Sequence, residues 1–244
     1  MTWKHRLRLM LRQLGFDVSR YNAHIGTPLD RRLKLMRNYG VNLVLDVGAN
    51  TGQYARGLRN AGFRARVVSF EPLSSAFTAL CGAAASDPSW TVHNIALGDR
   101  DGEAEINIAG NSQSSSLFEI LPAHLNRTPQ ARTIGRETVK IRRLDSLLPD
   151  LLGVNDRPFL KLDAQGYERN IIAGASDRIH DFVGLQLELS LTPLYEGETL
   201  LASMILHMED LGFTLMSLEP GFCDTRTGQL LQVDCCFFPS RASS

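Results

Sequence analysis

The sequence predicts an α/β protein whose mostly parallel sheet carries helices on both faces. Three observations lead there. Short, largely apolar runs recur at 43–47, 67–70 and 159–162, as expected of strands buried on both sides. Segments with apolar residues at helical spacing follow them. The first and third runs end in turns that combine an acid with glycine, Asp46-Val47-Gly48 and Asp163-Ala164-Gln165-Gly166. Such strand ends are where ligands of parallel sheets bind.

Taken in order, Trp3 to Gly15 predicts a short amphipathic helix. Trp3, Leu7, Met10, Leu11 and Leu14 form its stripe, and Lys4, Arg6, Arg8 and Arg12 are basic. Residues 3–15 are therefore compatible with peripheral contact to anionic lipid. Docking on the domain or covering its cleft is favoured instead, because one short basic helix is a weak anchor. A second helix is expected over 29–39, with Leu29, Leu33, Leu35 and Met36 inward. Residues 1–40 are set apart as a basic N-terminal helical segment, and 41–240 as the main domain. Lys plus Arg and Asp plus Glu balance at 26 each, yet residues 1–40 hold nine of the bases and two of the acids. A basic front on an acidic body suggests an anionic partner, a membrane surface or self-contact.

The organising stretch is Val44-Leu45-Asp46-Val47-Gly48-Ala49-Asn50-Thr51-Gly52-Gln53, read as strand, tight turn and helix start. Gly48 and Gly52 are expected to let the backbone turn sharply and lie against a ligand. Tyr54, Leu58 and Ala61 recur behind them at helical spacing, so free N–H groups of that helix would face the ligand. A dinucleotide fingerprint needs glycine where Asn50 stands, and a Walker loop needs Gly-Lys where Gly52-Gln53 stands. Both diphosphate readings are disfavoured. The second run ends in Glu71-Pro72, about twenty residues on, the spacing at which an acid reaches both ribose hydroxyls.

A helix over 73–85 and a third strand from Trp90 to Leu97 follow, with backbone groups of Asn94 to Leu97 beside an adenine. His93 reads as packed or solvated. Residues 103–108 alternate like an edge strand. Ser112 to Ser116 is either a solvated connector or a lid. Residues 122–136 look like a mobile excursion, 138–142 a strand and Leu144 to Leu148 a short helix. The fourth parallel strand, 159–162, delivers Asp163 to the cleft mouth, where it could serve as base, metal ligand or acceptor from a ligand's ammonium. Glu168 complements the dipole of the next helix. A fifth strand over 183–189 brings Glu188. A helix over 199–211 precedes two antiparallel strands, 213–218 and 230–238.

No run reaches the roughly eighteen apolar residues of a membrane span. The four cysteines form no C-x-x-C, so zinc and redox-motif readings are poor and a reducing cytosol fits best. The cytoplasmic assignment extends to the inner face of the membrane if the first helix is an anchor.

VLDVGANTGQY (44–54), VVSFEP (67–72), NIALGD (94–99), the serine loop (112–116), LKLDAQGYE (160–168), IIAGA (171–175) and LQLELS (185–190) together resemble the FkbM-type family of S-adenosylmethionine-dependent O-methyltransferases. Gln165 and Tyr167 replace the Glu and Phe that the family often shows. The resemblance implies a Rossmann-like class I methyltransferase fold, with seven strands, mostly parallel, and an antiparallel end. It also implies S-adenosylmethionine as cofactor and a sugar hydroxyl of a glycolipid or secondary metabolite as acceptor. On that footing Asp46, Gly48, Asn50 and Gly52 are assigned to the methionine end, Glu71 with Pro72 to the ribose, and Asn94 and Ala96 to the adenine. Asp163, Glu188 and His93 are the candidate bases, Asp163 first. A divalent metal is compatible with the sequence but not required by it. The alternative is a methyltransferase-like module that binds a glycan or protein partner without turnover. A nucleic-acid acceptor is disfavoured: the body is net acidic and no Asn-Pro-Pro-Tyr motif is present. Oligomeric state is left open.

Overall fold

A computed structural model describes residues 3–14, 16 and 26–240. In chain order the elements are α1 (Trp3–Gln13), α2 (Pro28–Asn38), β1 (Leu43–Val47), α3 (Gln53–Asn60), β2 (Arg66–Phe70), α4 (Ser74–Ala84), β3 (Trp90–His93) and β4 (Ala96–Gly98). There follow β5 (Gly102–Ala109), α5 (Pro122–Leu125), β6 (Thr133–Arg143), α6 (Leu144–Leu151), β7 (Pro158–Leu162) and α7 (Glu168–Ala175). The last are β8 (Gly184–Ser190), α8 (Leu201–Asp210), β9 (Phe213–Pro220) and β10 (Gln232–Pro239).

The main sheet has seven strands in the order β3-β2-β1-β7-β8-β10-β9. The first five are parallel, and β10 runs antiparallel to both its neighbours. Strand order reverses between β1 and β7, and that is where a ligand crevice is expected. This is the class I methyltransferase arrangement. Leu43, Leu45 and Val47 pack into one core with α7 and α8, while Val44 packs into the other with α2 and α3. Burial on both faces is why β1 reads as a run rather than an alternation.

Three expectations change. Trp90 to Leu97 is not one strand. The side-chain amide of Asn94 donates to the carbonyls of Glu71 and Pro72, both at 2.9 Å, and turns the chain out of the main sheet. The residues beyond form β4, which belongs to a second sheet ordered β4-β6-β5. The stretch 122–136 carries regular structure: α5, a 3-10 turn over Pro129–Ala131 and the start of β6 occupy it. Finally, most of the α1 stripe is open to solvent rather than covered, for Trp3, Leu7, Met10 and Leu14 are 70, 42, 53 and 66% exposed. Gly15 lies outside the described residues. By contrast α2 belongs to the body: Thr27 and Asp30 form a capping box at its start, and Leu33 and Met36 are buried.

Candidate active site

A cleft of about 510 Å³ lies over the C-terminal ends of the parallel strands, within the size range of small-molecule sites. Its two ends differ. One end is the turn after β1 together with the end of β2. Gly48, Asn50 and Gly52 all have positive φ, at 70, 47 and 85°. The glycines are there for the protein's own packing. A Cβ on Gly48 would lie 1.9 Å from the Asp163 carbonyl oxygen, and one on Gly52 would lie 2.7 Å from the Trp90 ring. Close approach of chain to chain, rather than of chain to ligand, excludes side chains at both positions.

Glu71 braces this turn. Its Oε2 accepts from the N–H of Asn50 at 2.8 Å and its Oε1 from that of Leu73 at 2.9 Å. Burial pushes its pKa up to about 7 against the pull of those two N–H groups. Each carboxylate oxygen keeps a lone pair for a further donor. The N–H groups of Gly48, Ala49, Thr51 and Gly52 also have protein acceptors. Only the first turn of α3 remains to receive an anionic group. Phe70, Ile95, Leu97, Ile106 and Tyr167 supply apolar wall near Glu71 and Pro72.

The other end comes from register. Asp46 pairs with Lys161 across β1 and β7, and Lys161 with Gln186 across β7 and β8, so all three point to one face. Lys161 Nζ lies 3.1 Å from Asp46 Oδ1 and 3.4 Å from Asp163 Oδ2. Burial opposes its charge, but Asp46 and Asp163 outweigh burial and hold the ammonium above its ordinary pKa. The last β7–β8 pair is Leu162 with Leu187, which sets Asp163 beside Glu188, and Glu188 faces Asp234 across β10. Glutamines hold these acids. Gln165 Nε2 donates to Asp163 Oδ1 at 2.7 Å and to Glu188 Oε2 at 2.5 Å, Gln232 Nε2 donates to Glu188 Oε2 at 3.0 Å, and Gln186 Nε2 donates to Asp234 Oδ1 at 2.9 Å. Burial, then Asp163 and Asp234, raise Glu188 well above the usual carboxylate range, and burial raises Asp234. Arg32 of α2 reaches in to donate to Gln186 Oε1 at 2.6 Å and pairs with Glu219 at 3.7 Å.

The serine loop crosses between the ends. Asn50 Nδ2 donates to Ser112 Oγ at 3.3 Å, and Ser116 Oγ donates to the Gln165 carbonyl at 2.7 Å. Ser112, Gln113, Ser115 and Ser116 line the cleft, so the loop is wall rather than solvated connector.

Compared with known families, residues 46–215 match the methyltransferase FkbM domain. This chain belongs to the FkbM methyltransferase family. It is thus an S-adenosylmethionine-dependent methyltransferase. A 2-O-methyltransferase, NoeI, of Sinorhizobium fredii (strain NBRC 101917 / NGR234) is 24% identical over 169 residues, spanning 67% of this chain and 69% of that one. Among solved structures, magnesium protoporphyrin IX methyltransferase from Synechocystis PCC 6803 is 14% identical over 98% of both chains, with TM-score 0.48. An rRNA methylase from Streptococcus thermophilus is 9% identical over 88% of this chain and 98% of that one, with TM-score 0.47. The fold assignment rests on the strand order given above.

The residues of this FkbM methyltransferase fit the cofactor. A buried carboxylate with spare lone pairs, an open helix start and apolar wall line one cleft, groups suited to a ribose, a methionine carboxylate and an adenine. Of the residues expected there, Gly48, Asn50, Glu71, Pro72 and Ala96 line the cleft, as do Asp163 and Glu188. Four lie elsewhere, Gly52 among them, packed against Trp90. Asp46 is fully buried beneath the wall, held by Lys161 and by the Ser69 hydroxyl at 3.1 Å, so it organises the turn from below. Asn94 spends its amide on the β2 turn. His93 is exposed on the edge strand β3 and stacks on Phe70, with ring centroids 5.3 Å apart, outside the cleft. Burial lowers its pKa. Lys161, Gln165, Gln186, Asp234 and Arg32 were not expected at the site. The i, i+2 pairs Lys161/Asp163 and Gln186/Glu188 were the available signal, since residues two apart on a strand share a face. Among the described residues, no group of three or more His, Cys, Asp or Glu side chains is placed to hold a metal ion. No described helix is long and apolar enough to cross a membrane.

Proposed function

We propose that this FkbM methyltransferase moves a methyl group from S-adenosylmethionine to a hydroxyl of a neutral acceptor, a sugar of a glycolipid or secondary metabolite. One observation carries the reading. At the far end of the cleft the cations Lys161 and Arg32 are matched by Asp46 and Glu219, leaving Asp163, Glu188 and Asp234 as a surplus of acceptors. Such an end suits hydroxyl donors and repels an acceptor carrying carboxylate or phosphate. The 2-O-methyltransferase relative points the same way.

The cofactor supplies a methyl on a positively charged sulfur, an electrophile that needs no further activation. Glu71 would accept from its ribose hydroxyls, Pro72 and Ala96 would bound the adenosine, and the first turn of α3 would take the methionine carboxylate. Asp163 would take the proton of the acceptor hydroxyl, while the cofactor would supply the methyl group and keep the electron pair of the broken bond on its sulfur. Alignment of such partners can lower a barrier by about 7–11 kcal/mol. A positioned base adds about 10²–10⁴-fold.

The same reading gives α1 a use. Its exposed stripe, flanked by exposed Arg6 and Arg8, suits the anionic surface at which a glycolipid acceptor sits. Phosphatidylglycerol vesicles should sediment the protein, and L7E/M10E should remain in the supernatant. Equal behaviour of the two removes this part.

The test of the main reading is incubation with methyl-labelled cofactor and fractionated lipid, glycan, nucleic-acid and protein extracts. Label is expected in the glycan or glycolipid fraction. Label confined to nucleic acid or protein would overturn the acceptor class.

A further inference from the structure

Arg32 has fewer partners than its burial demands. Its side chain is 12% exposed and lines the far end of the cleft with Tyr54, Gln186 and Asp234. Among the described residues it makes one hydrogen bond, from Nη1 to Gln186 Oε1 at 2.6 Å. Its Nη2 lies 3.7 Å from Glu219 Oε2, near enough to balance charge but too far for a hydrogen bond. Its Nε is buried without an acceptor. A buried N–H left unmatched is costly. A guanidinium beside a cleft with most of its donors unspent therefore calls for acceptor atoms from outside the chain.

The neighbours of Arg32 hold it in place. Gln186 Oε1 also accepts from the Tyr54 hydroxyl at 2.9 Å. With that oxygen taken twice, the amide nitrogen turns to Asp234 Oδ1 at 2.9 Å. The guanidinium lies over the Tyr54 ring, 5.3 Å from its centroid. Register adds a row of acids: Asp234 on β10 pairs with Glu188 on β8 and with Glu219 on β9, and the three share one face. Asp234 spends only Oδ1 on the described residues. This end thus offers donors and acceptors side by side, and a hydroxyl uses both. An anion would meet the carboxyls against a cation whose charge Glu219 already matches.

We propose that Arg32 is a specificity-determining residue: its open donors receive hydroxyl or ring oxygens of a neutral sugar, and Asp234 accepts a hydrogen bond from a hydroxyl of the same sugar. This rests on the reading of this end as the acceptor's, and it adds the group that selects the acceptor. The planar fork of a guanidinium suits two neighbouring oxygens of one ring.

Side-chain ¹H–¹⁵N spectra of the full chain, with S-adenosylhomocysteine present, test the contact without turnover. The Arg32 Nε–H resonance, identified by its absence from R32K, is expected to shift with methyl hexopyranosides and to ignore inorganic phosphate. A shift with phosphate alone, or with neither, overturns the proposal. Transfer kinetics give the second readout. On the glycan or glycolipid fraction, R32Q should raise the half-saturating amount of acceptor about ten-fold, by more than any fall in kcat, and keep S-adenosylhomocysteine affinity within a few-fold. R32K should recover little of that loss, because an ammonium lacks the planar fork. A mere strut between α2 and the sheet would instead lower the melting temperature and weaken cofactor and acceptor alike, and that pattern, or unaltered acceptor saturation in R32Q, also overturns the proposal. Label going to nucleic acid or protein while glycosides still move the Arg32 resonance would count against the methyl-acceptor reading and leave the sugar contact standing.

Discussion

The two ends of the cleft are built in different ways. At the Glu71 end one short turn does most of the work, through backbone N–H groups and a single carboxylate reaching back to Asn50 and Leu73. At the Asp163 end the groups come from β7, β8, β10 and α2, and strand register brings them together. A backbone-built end binds a constant ligand and tolerates side-chain change around it. An end built by side chains from four elements can be retuned one residue at a time. That division matches a family with one cofactor and varied acceptors.

The comparison breaks most sharply at Asp163. D163N should cut label transfer by about 10²–10⁴-fold. Its affinity for S-adenosylhomocysteine should stay within a few-fold, because the loss belongs to one end alone. Filter assays and calorimetry on the same preparation separate the two, and full transfer by this variant would remove Asp163 as base. Next comes Lys161, which joins the ends from below. K161M strips Asp46 of its buried partner and should cost about 3–5 kcal/mol in urea unfolding. A loss under 1 kcal/mol would mean that the pair is solvated in solution.

At the other end, E71A should weaken cofactor binding by about 1–3 kcal/mol by calorimetry. Because Glu71 has a pKa of about 7 in the ligand-free protein, its ionised form should bind the ribose hydroxyls better. Affinity should therefore rise from pH 6 to 8 in the parent and stay flat in E71Q. Smallest is the effect at Glu168, buried between the ends, whose Oε1 accepts from the N–H groups of Ala164 and Gly166. Burial raises its folded pKa to about 7, above the unfolded value. The stability it lends is full below about pH 4.5 and is lost as pH rises through 7. E168Q should match the parent's melting temperature near pH 5 and exceed it at pH 8.5.

The same contrast explains what was legible in the sequence. β1, its turn and Glu71 lie within one short stretch, 43–71, and announce themselves by glycine and acid spacing. The parallel strands, the antiparallel end and the placement of Asp163 and Glu188 follow from apolar runs and their ends. Asp234 could not be found, since its neighbour Glu188 is 46 residues away and their meeting depends on β10 running antiparallel to β8. Lys161 is a single polar residue within an apolar run, which by itself signals no partner. Only the Asp46–Lys161 register shows that it is buried and paired. The break after His93 was hidden because Asn94 acts on the carbonyls of Glu71 and Pro72, more than twenty residues earlier. Asp46 and His93 were misplaced for opposite reasons: one side chain dives beneath the turn, and the other lies on an open edge.

The reach of α2 has a consequence of its own. Arg32 enters the chamber from a helix that contributes no strand and precedes every residue matched by the family domain. Two proteins with identical sheets and turns could therefore prefer different acceptors because of a few substitutions near the start of the chain. A chain begun after α2 would lack this guanidinium on the chamber's floor, and with it part of what chooses the molecule to be decorated.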